Sequence, residues 1–132
     1  MEQQSLSVVR DFVNALQQGN QTRLAELLDE NVVWYQPGKS KVSGIIKGKA
    51  NVLGMVGNMF EISQGTFQLS EIKWLTPNGN KVACLLHFKA NRPGMMFDMD
   101  SIDVYTVKNG KIVEAALYSE DQKGEDDFWG YK

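Results

Sequence analysis

The chain has 132 residues, which is the length of one domain, and 42% of them are hydrophobic, enough to build a buried core. Its formal net charge is −2 and its basic residues form no cluster, so we expect no nucleic-acid partner. The single cysteine, Cys84, excludes an intramolecular disulfide and a multi-cysteine zinc site.

The sequence also lacks the patterns of export and membrane insertion. No apolar run approaches the roughly 18 residues of a membrane-spanning helix. The N-terminal residues are polar and amphipathic rather than basic and then apolar, unlike a signal peptide. We therefore expect a cytoplasmic protein that does not associate with a membrane.

The first half of the chain reads mainly as helix. Apolar residues recur at spacings of three and four from Leu6 to Leu16, as on one face of a helix. Helices are predicted over 4–18, 21–29 and 48–60. Between the last two, β-branched and aromatic residues predict a strand that stops at Pro37-Gly38, and residues 44–48 are predicted to be a loop.

The second half alternates extended runs with turn residues. Strands are predicted over 31–36, 66–75, 81–91, 95–107 and 111–119. Asn-Gly and Pro-Gly pairs separate the last four strands, so these strands should form an antiparallel meander. Helices followed by strands indicate an α+β domain. The acidic and aromatic residues 121–132 are predicted to be a tail, with the run Glu125-Asp126-Asp127 solvated.

Several segments of the sequence resemble those of one protein family. They are Val9-Arg10-Asp11-Phe12-Val13-Asn14-Ala15-Leu16, Leu27-Leu28-Asp29-Glu30-Asn31-Val32, Gln36-Pro37-Gly38 and Ile102-Asp103-Val104-Tyr105. Together they are similar to the SnoaL-like and ketosteroid isomerase-like branch of the nuclear transport factor 2 superfamily. The resemblance implies a cone-shaped half-barrel in which three N-terminal helices pack in a curved, mostly antiparallel sheet. It places one domain over 1–120, with an apolar pocket in the mouth of the cone and homodimers formed through the outer face of the sheet.

The resemblance also assigns catalytic positions. Ketosteroid isomerase combines a carboxylate base with an oxyanion hole made of a tyrosine and a protonated aspartic acid. Asp103 falls at that aspartic acid. Gln36 falls at the base and Phe12 at the tyrosine, and neither can perform the original role, so steroid isomerisation by that mechanism is not expected.

Strand alternation extends the candidate site. If Asp103 faces the pocket, Ser101 and Tyr105 face it too. A turn centred on Pro93 would place Ala83 opposite Asp103 and His87 opposite Met99 on the inner face. Asp103 and His87 are the catalytic candidates, but about 13 Å along the strands would separate them, too far for a direct hydrogen bond. The predicted ligand-binding residues are Phe12, Trp34, Gln36, Trp74, Phe97, Ser101, Tyr105, Leu117 and Ser119.

The final hairpin can close in two ways at Asn109-Gly110. A two-residue turn pairs Lys108 with Lys111 and points Tyr118 inward, whereas a bulged turn pairs Val107 with Lys111 and points Leu117 and Ser119 inward. The family resemblance favours the bulged turn, since its pocket residue falls at Ser119.

Two functions remain open. The first is a cofactor-independent enzyme, of isomerase, cyclase or dehydratase type, that acts on an apolar carbonyl or ring compound. The second is a non-catalytic member that binds a small apolar ligand or serves as a dimeric interaction module. In both, Met96, Ile102 and Val104 would point outward and be covered by a second copy of the chain. No metal or cofactor motif occurs in the sequence.

Overall fold

The computed structural model describes residues 2–132 and consists of helices packed against one curved sheet. The helices are α1 (Glu2–Gln18), α2 (Gln21–Leu27), α3 (Lys49–Ile62) and α4 (Gln122–Trp129). The strands are β1 (Leu28–Gln36), β2 (Gly44–Lys47), β3 (Gln68–Asn78), β4 (Lys81–Arg92), β5 (Met95–Lys108) and β6 (Lys111–Ser119). None of the helices described in residues 2–132 is long and apolar enough to cross a membrane.

The sheet is mixed, with the strand order β2-β1-β6-β5-β4-β3. The meander β3 to β6 is antiparallel throughout, as predicted, and β1 joins it in parallel to β6. The predicted α+β architecture is confirmed. Two elements were missed: the segment 44–48, predicted to be a loop, contains β2 as an edge strand, and the predicted tail contains α4.

The inner face of the sheet and the apolar sides of the helices form the core. In α1, Val9, Phe12 and Val13 are fully or almost fully buried, as the helical spacing of apolar residues predicts. The prediction of a solvated acidic run is wrong for Glu125 and Asp126, because α4 buries both, together with Phe128 and Trp129. The C-terminal segment is therefore part of the core.

The β4–β5 register differs from the predicted one by one residue. The turn consists of two residues, Pro93-Gly94, so that Arg92 pairs with Met95 and Cys84, not Ala83, pairs with Asp103. Because side chains alternate between faces, this shift places Cys84 inside and His87 outside. His87 pairs with Asp100 rather than with Met99.

The β5–β6 hairpin combines the two predicted alternatives. Asn109 and Gly110, at φ 52° and 75°, form a two-residue turn that pairs Lys108 with Lys111, so the preferred bulged turn is wrong. An extra residue, Val113, then shifts the register between Val107↔Ile112 and Thr106↔Glu114. Because of this bulge, the side chains of β6 beyond Val113 lie on the opposite faces from those that the two-residue turn alone would give them.

The predicted orientation of β6 is consequently retained. Leu117 pairs with Asp103, Ser119 pairs with Ser101, and both line the interior cavity. Tyr118 points outward and is 61% exposed.

Candidate active site

A mainly apolar cavity of about 70 Å³ lies between the helices and the inner face of the sheet. Of the predicted site residues, the structure brings the following to its wall: Phe12, Trp34, Gln36, Phe97, Ser101, Asp103, Tyr105, Leu117 and Ser119. Met55, Met59 and Met99 also line it. Their flexible side chains can repack around a ligand larger than the volume present here.

Asp103 is the polar centre of this wall. Its side chain is 1% exposed, and both carboxyl oxygens accept hydrogen bonds from neighbours on the same face of β5. Ser101 Oγ donates to Oδ1 at 2.6 Å and the Tyr105 hydroxyl donates to Oδ2 at 2.8 Å. Burial raises the pKa of Asp103 to about 6, against the opposing effect of the two hydroxyl donors. Asp103 therefore changes charge near neutral pH.

Aromatic rings fix the geometry on one side of Asp103. Tyr105 packs edge-on against Phe12 with ring centroids 5.3 Å apart, and its centroid is 5.9 Å from that of Trp34. The Trp34 indole N–H donates to the amide oxygen of Gln36 at 3.0 Å, and both residues are buried. This hydrogen bond uses the acceptor of Gln36 and leaves the amide NH2 group as the donor that a ligand could meet.

Glu125 is a site residue that the sequence interpretation missed. It lies in α4, lines the same cavity and accepts a hydrogen bond from Trp129 Nε1 at 3.2 Å. Burial raises the pKa of Glu125 to about 7; hydrogen bonds from Trp129 and Ser119 oppose the shift, and the nearby charge of Asp103 adds to it.

Sequence signals for this helix were present. Asp121 caps its N-terminus by accepting from Gly124 N, and Gly130 ends it at φ 87°. Glu125, Phe128 and Trp129 then share one helical face at spacings of three and four, which is the pattern of a packed helix rather than a tail.

Two predicted site residues lie outside the cavity. Trp74 is 44% exposed and, through its pairing with Leu85, belongs to the outer face of the sheet. His87 is also on the outer face, for the register reason given above, so it cannot face a ligand together with Asp103. It instead lies between two carboxylates: Nδ1 is 2.6 Å from Asp100 Oδ1 and Nε2 is 2.5 Å from Asp98 Oδ1.

The outer-face carboxylates favour the protonated, imidazolium form of His87. Hydrogen bonds to Asp98 and then to Asp100 raise the pKa of His87, while partial burial opposes the shift. Lys73 completes the cluster by donating to Asp100 at 3.0 Å. In residues 2–132 no group of three or more His, Cys, Asp or Glu side chains is arranged to hold a metal ion.

The His87 contacts predict a pH-dependent contribution to stability. Because the folded pKa lies above the unfolded value of about 6.5, the contribution is fully present below pH 6.5 and is lost as pH rises through the folded pKa. The free energy of unfolding of wild type should therefore exceed that of His87→Gln most at pH 5.5 to 6, with a gap that narrows towards pH 9. Urea unfolding across this range measures the gap; a gap that widens with pH would contradict the imidazolium assignment.

Four helices in residues 2–132 packed against one six-stranded mixed sheet match the fold of nuclear transport factor 2-like and cystatin-like proteins. The SnoaL-like domain matches residues 9–115, and the chain belongs to this SnoaL-like family. No curated protein has a sequence that matches significantly.

Solved structures of similar chains agree with this assignment. A protein of unknown function with a cystatin-like fold from Xanthomonas campestris is 35% identical, with a TM-score of 0.92, covering 96% of this chain and 98% of its own. Bal32a, from a soil-derived mobile gene cassette, is 27% identical with a TM-score of 0.92 and 98% of both chains covered. A putative ketosteroid isomerase from Kribbella flavida shares the fold at 18% identity, with a TM-score of 0.71, 91% of this chain covered and 80% of its own.

Proposed function

We propose that the protein is a cofactor-independent enzyme that moves protons on a small apolar carbonyl compound. The observation that carries this proposal is Asp103, a buried carboxyl at the wall of a mainly apolar cavity, oriented by two hydroxyl donors. A pKa of about 6 makes this carboxyl an acid or base that works near neutral pH. No lysine or arginine among residues 2–132 lines the cavity and fixes the charge of Asp103.

The walls indicate the class of ligand. They are aromatic and aliphatic, with the Gln36 amide as a neutral polar contact, so an anionic or highly hydroxylated compound would leave polar groups unpaired. The volume of about 70 Å³ is small, so the ligand should be no larger than about one ring and the methionine side chains must repack around it. A cyclic ketone has the required properties: an apolar body, a carbonyl acceptor and acidic C–H groups beside the carbonyl.

The test is hydrogen–deuterium exchange at the carbons next to the carbonyl of cyclohexanone, followed by NMR in D2O. Wild type should accelerate exchange over the buffer rate, and Asp103→Asn should lower the enzymatic rate by about 100-fold or more, within the range that general acid–base groups contribute. Exchange that is equal with and without the protein would overturn the proposal.

A non-catalytic ligand-binding or interaction module is the second candidate. Gln36, at the position where the resemblance puts a carboxylate base, favours it because an amide cannot accept a proton from carbon. In that case cyclohexanone would bind, seen as line broadening of its NMR signals in the presence of protein, with no exchange, and Asp103→Asn would change affinity alone.

We also propose that the chain forms a homodimer through the outer face of the sheet. One row of paired residues on this face runs across four strands, from Trp74 through Leu85 and Ile102 to Tyr118. Three of these four side chains are 40–61% exposed. The neighbouring row is also mainly apolar and consists of Thr76, Ala83, Val104, Ala116, Tyr35 and Ile45. Two adjacent apolar rows form a patch that a second copy of the same face can cover.

A charge in the middle of this patch should dissociate the dimer. Sedimentation velocity at micromolar concentration should give a dimer for wild type and a monomer for Ile102→Lys, because pairing two copies would bury the new ammonium groups without partners. Arg10→Glu, at an exposed position of α1 away from the sheet, is the control and should remain dimeric. A monomeric wild type would contradict the proposed interface.

A further inference from the structure

The cavity contains two buried carboxyl groups from different parts of the chain. Asp103 comes from β5 and Glu125 from α4, and both line the cavity. A pair of facing serines links their surroundings: Ser101 and Ser119 are partners across β5 and β6. Ser101 donates to Asp103, whereas the Ser119 hydroxyl donates to Met99 Sδ at 3.3 Å and lies close enough to Glu125 to lower the pKa of that carboxyl. The carboxyls are near enough for the charge on one to disfavour the charge on the other.

Their hydrogen-bond partners differ in a way that separates their protonation. Asp103 accepts two hydroxyl hydrogen bonds, at 2.6 and 2.8 Å, which stabilise a carboxylate. The N–H donors that reach Glu125 make longer hydrogen bonds: the Trp129 indole at 3.2 Å and the Gln122 side-chain amide at 3.4 Å. With no cation among the residues lining the cavity in 2–132, a single shared proton is held best by Glu125.

We propose that Glu125 is the proton donor of this site and that Asp103 is its carboxylate base. The inference rests on the proposed function and specifies how that function is performed. The resemblance to ketosteroid isomerase makes Asp103 a protonated hydrogen-bond donor, whereas here it is the base. Glu125 of α4 provides the second reacting group, which neither Gln36 nor Phe12 can provide.

The proton transfers balance without a cofactor. The Asp103 carboxylate removes a proton from the carbon next to the substrate carbonyl, and the C–H electron pair becomes the C=C bond of an enol. The carbonyl π electrons move to oxygen, which takes the proton of Glu125. In the return step Asp103 delivers a proton to carbon, at the original or a conjugated position, and the enol O–H proton returns to Glu125. Deuterium enters the substrate when the proton held by Asp103 is replaced from D2O before this return. The substrate class is therefore a small ketone that can enolise, with its oxygen towards α4 and its acidic C–H towards β5.

The pKa values agree with this division. Burial raises the pKa of Asp103 to about 6 and that of Glu125 to about 7, so the required state, Asp103 ionised and Glu125 protonated, is most populated between these two values.

The activity test uses deuterium exchange of cyclohexanone by wild type, Asp103→Asn, Glu125→Gln and Asp127→Asn. Asp103→Asn removes the base and should lower the rate by 100-fold or more across the pH range. Glu125→Gln keeps a hydrogen-bond donor and the base, so about 1–10% of the rate should remain. Its pH profile should keep the rise near pH 6 and lose the decline above pH 7. Asp127→Asn removes an exposed carboxyl of the same helix and should match wild type.

A second measurement needs no substrate, and its main result comes from the wild-type protein. Carboxyl ¹³C NMR of wild type should show Asp103 titrating below Glu125, and Asp103→Asn should lower the pKa of Glu125 by removing a nearby negative charge. Glu125 titrating first would overturn the inference. The inference would also be overturned if Asp103→Asn kept the exchange activity and Glu125→Gln lost it. The proposed function would still stand in that case. A wild type that shows no exchange above the buffer rate overturns the catalytic proposal itself.

Discussion

Asp103→Asn is expected to remove about 3 kcal/mol of pH dependence from the stability of the protein. The folded pKa of about 6 lies roughly two units above the ordinary value of an aspartic acid, and each unit corresponds to about 1.4 kcal/mol. Because the folded pKa is raised, Asp103 favours the folded state most below its unfolded pKa, near pH 4. That contribution is lost as pH rises through 6, when a buried charge must form.

Urea unfolding of wild type and Asp103→Asn between pH 4 and pH 8 measures this effect. The variant should lose much less stability than wild type over that range. Asp127→Asn provides a control of opposite sign, because hydrogen bonds from Tyr131 and Lys123 lower the pKa of Asp127, whose contribution is lost as pH falls. If wild type gains stability relative to Asp103→Asn as pH rises, the Asp103 carboxylate is stabilised by the fold and its pKa is not raised.

Site residues were predicted correctly where the prediction needed only the periodicity of one strand or helix, and less well where it needed the register between two strands. The position of Asp103, Ser101 and Tyr105 on one face followed from strand alternation within β5, and the structure places all three at the cavity. Such local alternation needs no knowledge of the partner strand. The helical spacing of apolar residues from Leu6 to Leu16 likewise predicted the buried face of α1, whereas Phe12 was assigned to the site by the family resemblance.

His87 was placed wrongly because its face depended on a turn rather than on its own strand. A turn centred on Pro93 and a two-residue turn Pro93-Gly94 differ by one residue in register, and one residue exchanges the two faces of β4. Alternation along β5 from an inward-facing Asp103 places Asp98 and Asp100, which hold His87, on the outer face. Pairing His87 with them would have indicated the right register.

The β6 orientation was right although the turn was wrong. Asn109-Gly110 is a strong signal for a two-residue turn, and this is the turn that forms. The bulge that restores Leu117 and Ser119 to the inner face lies at Val113, where no glycine or proline marks it in the sequence. The family resemblance supplied the orientation that turn chemistry alone did not.

The missed helix α4 affected the predicted site most, because it carries Glu125. The substitution Gly38→Ala tests how the packing of α4 against the segment after β1 contributes to stability. Gly38 has φ +90°, and a Cβ atom there would lie 2.1 Å from Asp126 Oδ1 and 2.2 Å from Gln122 Nε2. Asp126 also accepts from the Lys39 backbone N–H at 3.0 Å, so this contact joins the segment after β1 to α4. An alanine must displace the Gln122 and Asp126 side chains, and with them the contact that holds α4 against this loop.

Gly38→Ala is expected to destabilise the protein by about 2–5 kcal/mol in urea unfolding. About 1–2 kcal/mol reflects a side chain in left-handed backbone, and about 1–3 kcal/mol reflects overpacking against α4. Gly65→Ala is the matched control: its φ is +79° and nothing lies within 4 Å of an added Cβ, so it should lose the backbone contribution alone.

A displaced α4 would also carry Glu125 out of the cavity, which gives Gly38→Ala a second effect that general destabilisation does not produce. Glu125 has a pKa near 7 because α4 buries it, so in Gly38→Ala its pKa should fall towards the ordinary glutamate value. The Gly65→Ala protein should keep the wild-type value. Carboxyl ¹³C NMR under conditions where both variants are folded tests this. An unchanged Glu125 pKa in Gly38→Ala would mean that the Gln122 and Asp126 side chains or the loop at Gly38 move instead and α4 stays in place.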